Sequence, residues 1–219
     1  MTPDCRREVT LVVYRGFKTL EATGPLSVLG YASQHLQAAG HKGGYDVTIA
    51  APRTGLTPSD TVMSLEAEVV LRDLGACDTH RRGARRRAGG GALVSPIRAR
   101  NNPLCRALHR IVFLAEAGLL DGQRAATHWN YAARMRLRFP DVTVDADAIF
   151  VQAGSFWTSA GVTAAIDLAL AFVEQDYGRD SALALARDMV MYLKCPGEQS
   201  QLSTLLTGQS AGATAWAMC

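Results

Sequence analysis

The sequence predicts an α/β domain built on a mostly parallel sheet with helices on both faces, interrupted over residues 80–111. Two observations predict this. Short β-rich apolar runs alternate with segments of helical apolar spacing, the order that parallel strands and their crossover helices require. The 219 residues also suffice for one full α/β domain and are too few for two of ordinary size. A third observation predicts the interruption: periodicity vanishes in one arginine-laden stretch.

The elements follow in chain order. Val9 to Tyr14 is a buried strand. Thr23 or Gly24 is expected to cap a helix with Pro25 in its first turn, where a missing N–H costs nothing. Leu26, Leu29, Ala32, Ser33 and Leu36 then recur at helical spacing up to Gly40. Tyr45 to Ala51 is the second strand, stopped by Pro52, and residues 56–71 read as a hairpin or strand pair. Asp78 and Thr79 introduce a further strand that never arrives. Residues 113–118 read as a helix end with a Gly cap. Arg124 to His128 is strand-like, and Asn130 opens an amphipathic helix through Tyr131, Met135 and Phe139. Strands at 142–144, 148–151 and 156–158 precede two helices, Gly161 to Tyr177 and Arg179 to Leu193.

Composition narrows the class. With 48% hydrophobic and 20% charged residues, the chain can bury a substantial core. The N-terminus carries no apolar signal core and no stretch is long enough to span a bilayer, so the cytoplasm is the expected location and no membrane partner is expected. Five scattered cysteines, odd in number and never in a C-x-x-C pair, argue against a disulfide framework or a zinc site. No metal and no cofactor is expected. The net charge of +3 comes from one region, in which nine arginines lie between Arg81 and Arg110. It therefore says little about the rest of the chain.

Several ordered stretches together resemble the ThiJ/PfpI superfamily of class-I glutamine-amidotransferase-like domains, in the branch fused to AraC-type DNA-binding domains. They are Val12 to Pro25, Gly118 to Trp129, Phe139-Pro140, Trp157 to Leu170 and Gly197 to Gln201. The match covers residues 8–79 and 113 to about 210. The resemblance implies a flavodoxin-like three-layer sandwich. It also implies a strand–turn–helix elbow presenting a cysteine, whose thiolate a helix N-terminus favours, with a carboxylate matching Glu21 bonded to that sulfur. The cysteine is expected near Leu108, where the chain reads Ala107 to Ile111 without one. No catalytic residue is therefore assigned.

Residues 80–111 have two readings. One is an out-of-frame translation: codons CTG CAC CGG ATC for residues 108–111, read one base later, spell Cys-Thr-Gly-Ser. His80 to Gly83, as CAT CGT CGC GGG, then spell Ile-Val-Ala-Gly, the missing strand. The other is a genuine Arg- and Gly-rich insertion, a solvated loop or a nucleic-acid-binding tongue, although no aromatic residues interleave the arginines. Either way a central strand and the elbow are lost, and a destabilised fold is expected.

Candidate ligand-binding residues are Glu21, Gly24, Pro25, His128, Thr158 and Thr163. Glu21 reads as the acid of a pocket or as a solvated first-turn carboxylate. His128 lines a pocket or satisfies a structural bond. Thr158, Ser159 and Thr163 flank a strand-to-helix junction able to hold an anion, with simple capping as the plainer reading. Cys105 lies near the expected elbow among unrelated neighbours. Gly89 to Gly91 lack the Lys-Ser/Thr of a phosphate loop, so nucleotide binding is rejected.

The expected function is a ligand-sensing domain over residues 1–210 of a transcription regulator, with an unidentified small molecule as partner. Residues 211–219 would be a truncated linker without the helix-turn-helix pair. DNA binding by this chain alone is then not expected, and a homodimer fits the family. The alternative is a cysteine-dependent small-molecule enzyme of the same superfamily, isonitrile-hydratase-like or deglycase-like, inactivated by loss of its nucleophile. Fold does not choose between them, because function lives in the site.

Overall fold

The computed structural model describes residues 6–70, 111–116, 118, 120–153, 156–191, 197 and 200–201. Its first half runs β1 (Arg6–Val12), α1 (Thr19–Ala38), β2 (Gly44–Ala51), β3 (Gly55–Pro58), β4 (Ser64–Ala67) and β5 (Val69–Val70). The second runs α2 (Ile111–Glu116), β6 (Arg124–Ala126), α3 (Trp129–Arg138), β7 (Thr143–Asp145), β8 (Phe150–Ala153), β9 (Phe156–Ser159), α4 (Ala164–Tyr177) and α5 (Arg179–Asp188). The expected missing strand and elbow lie outside the described residues, which resume at Ile111, the first residue of α2.

Strand β1 pairs parallel with β2, from Arg6 opposite Gly44 to Val12 opposite Ala50, and β2 pairs parallel with β5. Strands β6 and β7 are likewise parallel, while β3–β4 and β8–β9 are antiparallel pairs. Parallel pairing needs a crossover, which α1 supplies between β1 and β2. Val9, Leu11, Val12 and Val13 are all buried, as a strand covered on both faces demands.

Two helical groups close the core. Helices α1, α4 and α5 pack together through Val28, Leu29, Leu36, Leu168, Phe172, Val173 and Leu185, against Val9 and Tyr45 of the sheet. Helices α2 and α3 form a second core with β6 and β7, centred on Val112, Leu120, Met135 and Val144. A buried polar tie binds the first group to β2. The Ser33 hydroxyl accepts from the Tyr45 N–H at 2.8 Å and donates to the Leu29 carbonyl at 2.9 Å.

Helix α1 corrects the sequence reading. It begins at Thr19, with Lys18 as its N-cap, and Pro25 lies inside it. Its cap is tertiary: Asp60 Oδ1 accepts the Thr19 N–H at 3.0 Å, and Lys18 Nζ donates to Asp60 Oδ2 at 2.8 Å. No local pattern around residue 23 could reveal a partner some forty positions away. Pro25 instead withholds the N–H that an interior residue would give the Glu21 carbonyl. The Thr23 hydroxyl, far from capping, donates back to the Thr19 carbonyl at 2.9 Å.

The helix ends as expected. Gly40 is left-handed at φ +80°, with His41 N–H on the Leu36 carbonyl and Gly40 N–H on the Gln37 carbonyl. That is the paired closure in which glycine is favoured. The last two helices are shorter than expected. Helix α4 starts at Ala164 and α5 stops at Asp188. Val190 turns left-handed there, at φ +54°, and Met191 N–H reaches the Ala186 carbonyl.

Candidate functional site

In an α/β sheet, ligands are held where strands hand over to helices at their carboxyl ends. Here β1 hands over to α1, and β6 to α3, at that end. Lys18, the N-cap of α1, carries an ammonium held above its ordinary value. The chief cause is its hydrogen bond to Asp60, and Tyr131 on α3 and Glu21 on α1 lie within electrostatic reach of it.

Glu21 is buried at 5% exposure, which removes the solvated reading of that carboxylate. Its Oε1 accepts the Val162 N–H at 3.1 Å, tying α1 to the turn between β9 and α4. Val162 is left-handed at φ +39° and follows Gly161 at φ +98°. A β-branched residue in that region is strained.

Gly24 and Pro25 are buried on the same helix. Gly24 is a contact point between helices: a Cβ there would stand 2.7 Å from Cγ1 of Ile166 on α4. Close approach of α1 to α4 is the reason for glycine.

His128 is the N-cap of α3, where its Nδ1 accepts the Asn130 N–H at 3.2 Å. The same ring lies 5.3 Å from the Trp129 ring and 5.9 Å from that of Tyr131, centre to centre. Trp129 is half exposed. An imidazole used as a cap acceptor keeps Nδ1 free of a proton.

Thr158 is buried, and its hydroxyl oxygen accepts the Ala126 N–H at 2.8 Å, tying β9 to β6. Thr163 stands before α4 with helical dihedrals and makes no side-chain capping bond. The structure therefore places Glu21 and Tyr131 within electrostatic reach of Lys18, and sets the His128 ring beside Tyr131. It also sets Thr163 beside the Glu21–Val162 bond, and uses Thr158 inside the sheet.

Lys18, Asp60, Tyr131 and Val162 were not singled out as site residues in the sequence. Gln201 was visible only as part of a motif, and its job is specific. Its Oε1 accepts the Trp129 N–H at 3.0 Å, and its Nε2 donates to the carbonyls of Thr127 at 2.8 Å and Ala148 at 2.9 Å. Gly197 docks the same segment: its carbonyl accepts from Ile149 and Phe150, and a Cβ on it would meet the Phe150 carbonyl at 2.7 Å.

Among the described residues no group of three or more His, Cys, Asp or Glu is placed to hold a metal, and no helix is long and apolar enough to cross a membrane. All five cysteines fall outside the described residues. The expected nucleophile position, residue 108, lies outside them too.

The chain is similar to transcription regulators. The HTH-type transcriptional regulator CdhR of Pseudomonas aeruginosa is 40% identical over 80 residues, 36% of this chain and 24% of that protein. The matched stretch spans about a quarter of that relative. Among solved structures, an AraC family transcriptional regulator from Pseudomonas putida superposes with a TM-score of 0.62 at 18% identity, over 84% of this chain and 99% of that one. A ThiJ/PfpI family protein from Pseudomonas syringae gives 0.62 at 18% identity, over 89% and 79%. No family model matches the chain. The resemblance read from the sequence holds, and the fold is the flavodoxin-like α/β arrangement of these proteins.

Proposed function

We propose that this chain is a small-molecule-sensing domain of an AraC-type transcription regulator and performs no cysteine chemistry. The observation that carries the reading is the use made of Glu21. In the enzymes the chain resembles, the matching carboxylate attends a cysteine. Here it is bonded to a backbone amide, and the sequence offers leucine where the sulfur is expected. Its similarity to HTH-type regulators supports the same reading. The ligand is a small molecule held beside the heads of α1 and α3, where Lys18, Tyr131, His128 and half-exposed Trp129 present charge, hydrogen-bonding groups and aromatic faces. In this reading the described residues sense and do not read DNA.

The test is a thermal-shift screen of the purified chain against small amines, amino acids and carboxylates. A ligand at a hundredfold excess over its Kd adds about 2.7 kcal/mol. That shift is expected to disappear in His128→Ala and Trp129→Ala. The same protein is assayed for turnover of a small isonitrile and of a glycated amine. Turnover abolished by thiol alkylation would establish the cysteine-enzyme alternative instead.

A further inference from the structure

We infer that Glu21 is a positioning residue: its carboxylate latches the strained turn ahead of α4 by holding the Val162 N–H. Three observations meet at this bond. Val162 has φ +39° and Gly161 φ +98°, so two consecutive residues leave the region that L side chains favour. Val162 is branched at Cβ, the side-chain type that least tolerates such a backbone. Something must over-determine the turn for it to persist.

The surrounding backbone bonds fix the turn on both sides without touching the Val162 amide. Ala160 N–H donates to the Ile149 carbonyl at 2.7 Å, and Ala164 N–H donates to the Gly161 carbonyl at 2.9 Å. Between them the Val162 N–H points at Glu21 Oε1, 3.1 Å away. The carboxyl oxygen accepts from the amide, and the low dielectric around buried Glu21 strengthens the bond. Gly24, one turn along α1, lets the two helices approach closely enough for the reach to close. The latch is a property of the chain alone and holds whether or not the helix heads bind a ligand.

Amide hydrogen exchange on the full 219-residue chain, read residue by residue by NMR, tests this. The native Val162 amide is expected to be protected although the residue is 36% exposed. Glu21→Leu removes the acceptor with little change of volume. It is expected to speed Val162 exchange by roughly tenfold or more and to move its amide proton resonance upfield. Glu21→Gln keeps an oxygen acceptor and should restore most of the protection, a rescue that a merely space-filling role would not produce. Should Glu21→Leu fail to fold, Glu21→Ala takes its place as the variant without an acceptor. A loss of protection confined to residues 161–163 supports the latch. Unprotected Val162 in the native chain, or protection unchanged in both variants, overturns it.

Discussion

Glu21 and Val162, 141 positions apart, meet in a 3.1 Å bond between a buried carboxylate and a left-handed backbone. The bond joins the helix nearest the amino terminus to the start of α4. A carboxylate so committed has at least one of its acceptor sites occupied before any ligand arrives.

Val190 closes α5 in a left-handed conformation that suits glycine, yet its side chain is 89% exposed and loses little when removed. Val190→Gly is therefore expected to stabilise the chain by about 0.5–1 kcal/mol, the left-handed penalty less the extra freedom glycine has when unfolded. Chemical denaturation should show a higher midpoint with an unchanged slope. A lower midpoint would mean that the valine side chain has a packing role in the folded chain.

Gly24→Ala places a methyl group 2.7 Å from Ile166 Cγ1, inside contact distance and against a stiff, branched side chain. Overpacking of this sort costs about 1–3 kcal/mol. Ile166→Ala in the same chain should recover part of the loss, because the two substitutions share one contact. Thermal melting of the single and double variants measures the coupling.

Asp60 holds Lys18 and the Thr19 amide, and these bonds lower its pKa from 3.8 to about 2, with the Lys18 hydrogen bond the largest cause. The sign follows directly. A carboxylate depressed in the folded state contributes fully above its unfolded value, and the contribution is lost as pH falls through the folded value. The native chain should therefore lose stability between about pH 4 and about pH 2 in a way that Asp60→Asn does not. Added salt should shrink the difference, since the pair is open to solvent. Identical acid profiles for the two proteins would remove Asp60 from the account.

Gln201→Ala strips one acceptor and two donated bonds from the junction of β6 and α3. Each of the three bonds is worth about 0.5–1.5 kcal/mol, so a loss of about 1.5–4.5 kcal/mol is expected. Exchange of the Trp129 amide should rise in parallel. Gly197→Ala should reproduce the effect from a distance, by pushing the segment off the Phe150 carbonyl. If Gly197→Ala leaves Trp129 exchange unchanged, the two ends of the segment dock independently.

Much of this molecule was legible in its sequence, for identifiable reasons. The β1 strand announced itself because a parallel strand covered on both faces reads as a near-continuous apolar run, as Val9 to Val13 illustrate. The end of α1 was equally plain, since Gly40 supplies a conformation that few residues adopt. Its beginning was not, because Asp60 caps it across space and Pro25 sits inside a helix against its usual habit. The end of α5 was hidden for the converse reason: Val190 takes a glycine's place. Glu21 was found by pattern, but its partner is a backbone amide, and backbone partners leave no trace in residue type. Lys18 lies on a different segment from His128 and Tyr131, so only the folded chain shows that it comes within electrostatic reach of Tyr131.

The clamp made by Gln201 also sets an order of events during synthesis. Thr127 and Trp129 leave the ribosome 74 and 72 residues ahead of the side chain that bonds to both. At about 5–20 residues per second, the nascent junction waits roughly 4 to 14 seconds for its last partner. Throughout that interval the Trp129 amide and the Thr127 carbonyl lack the partner they have in the folded chain.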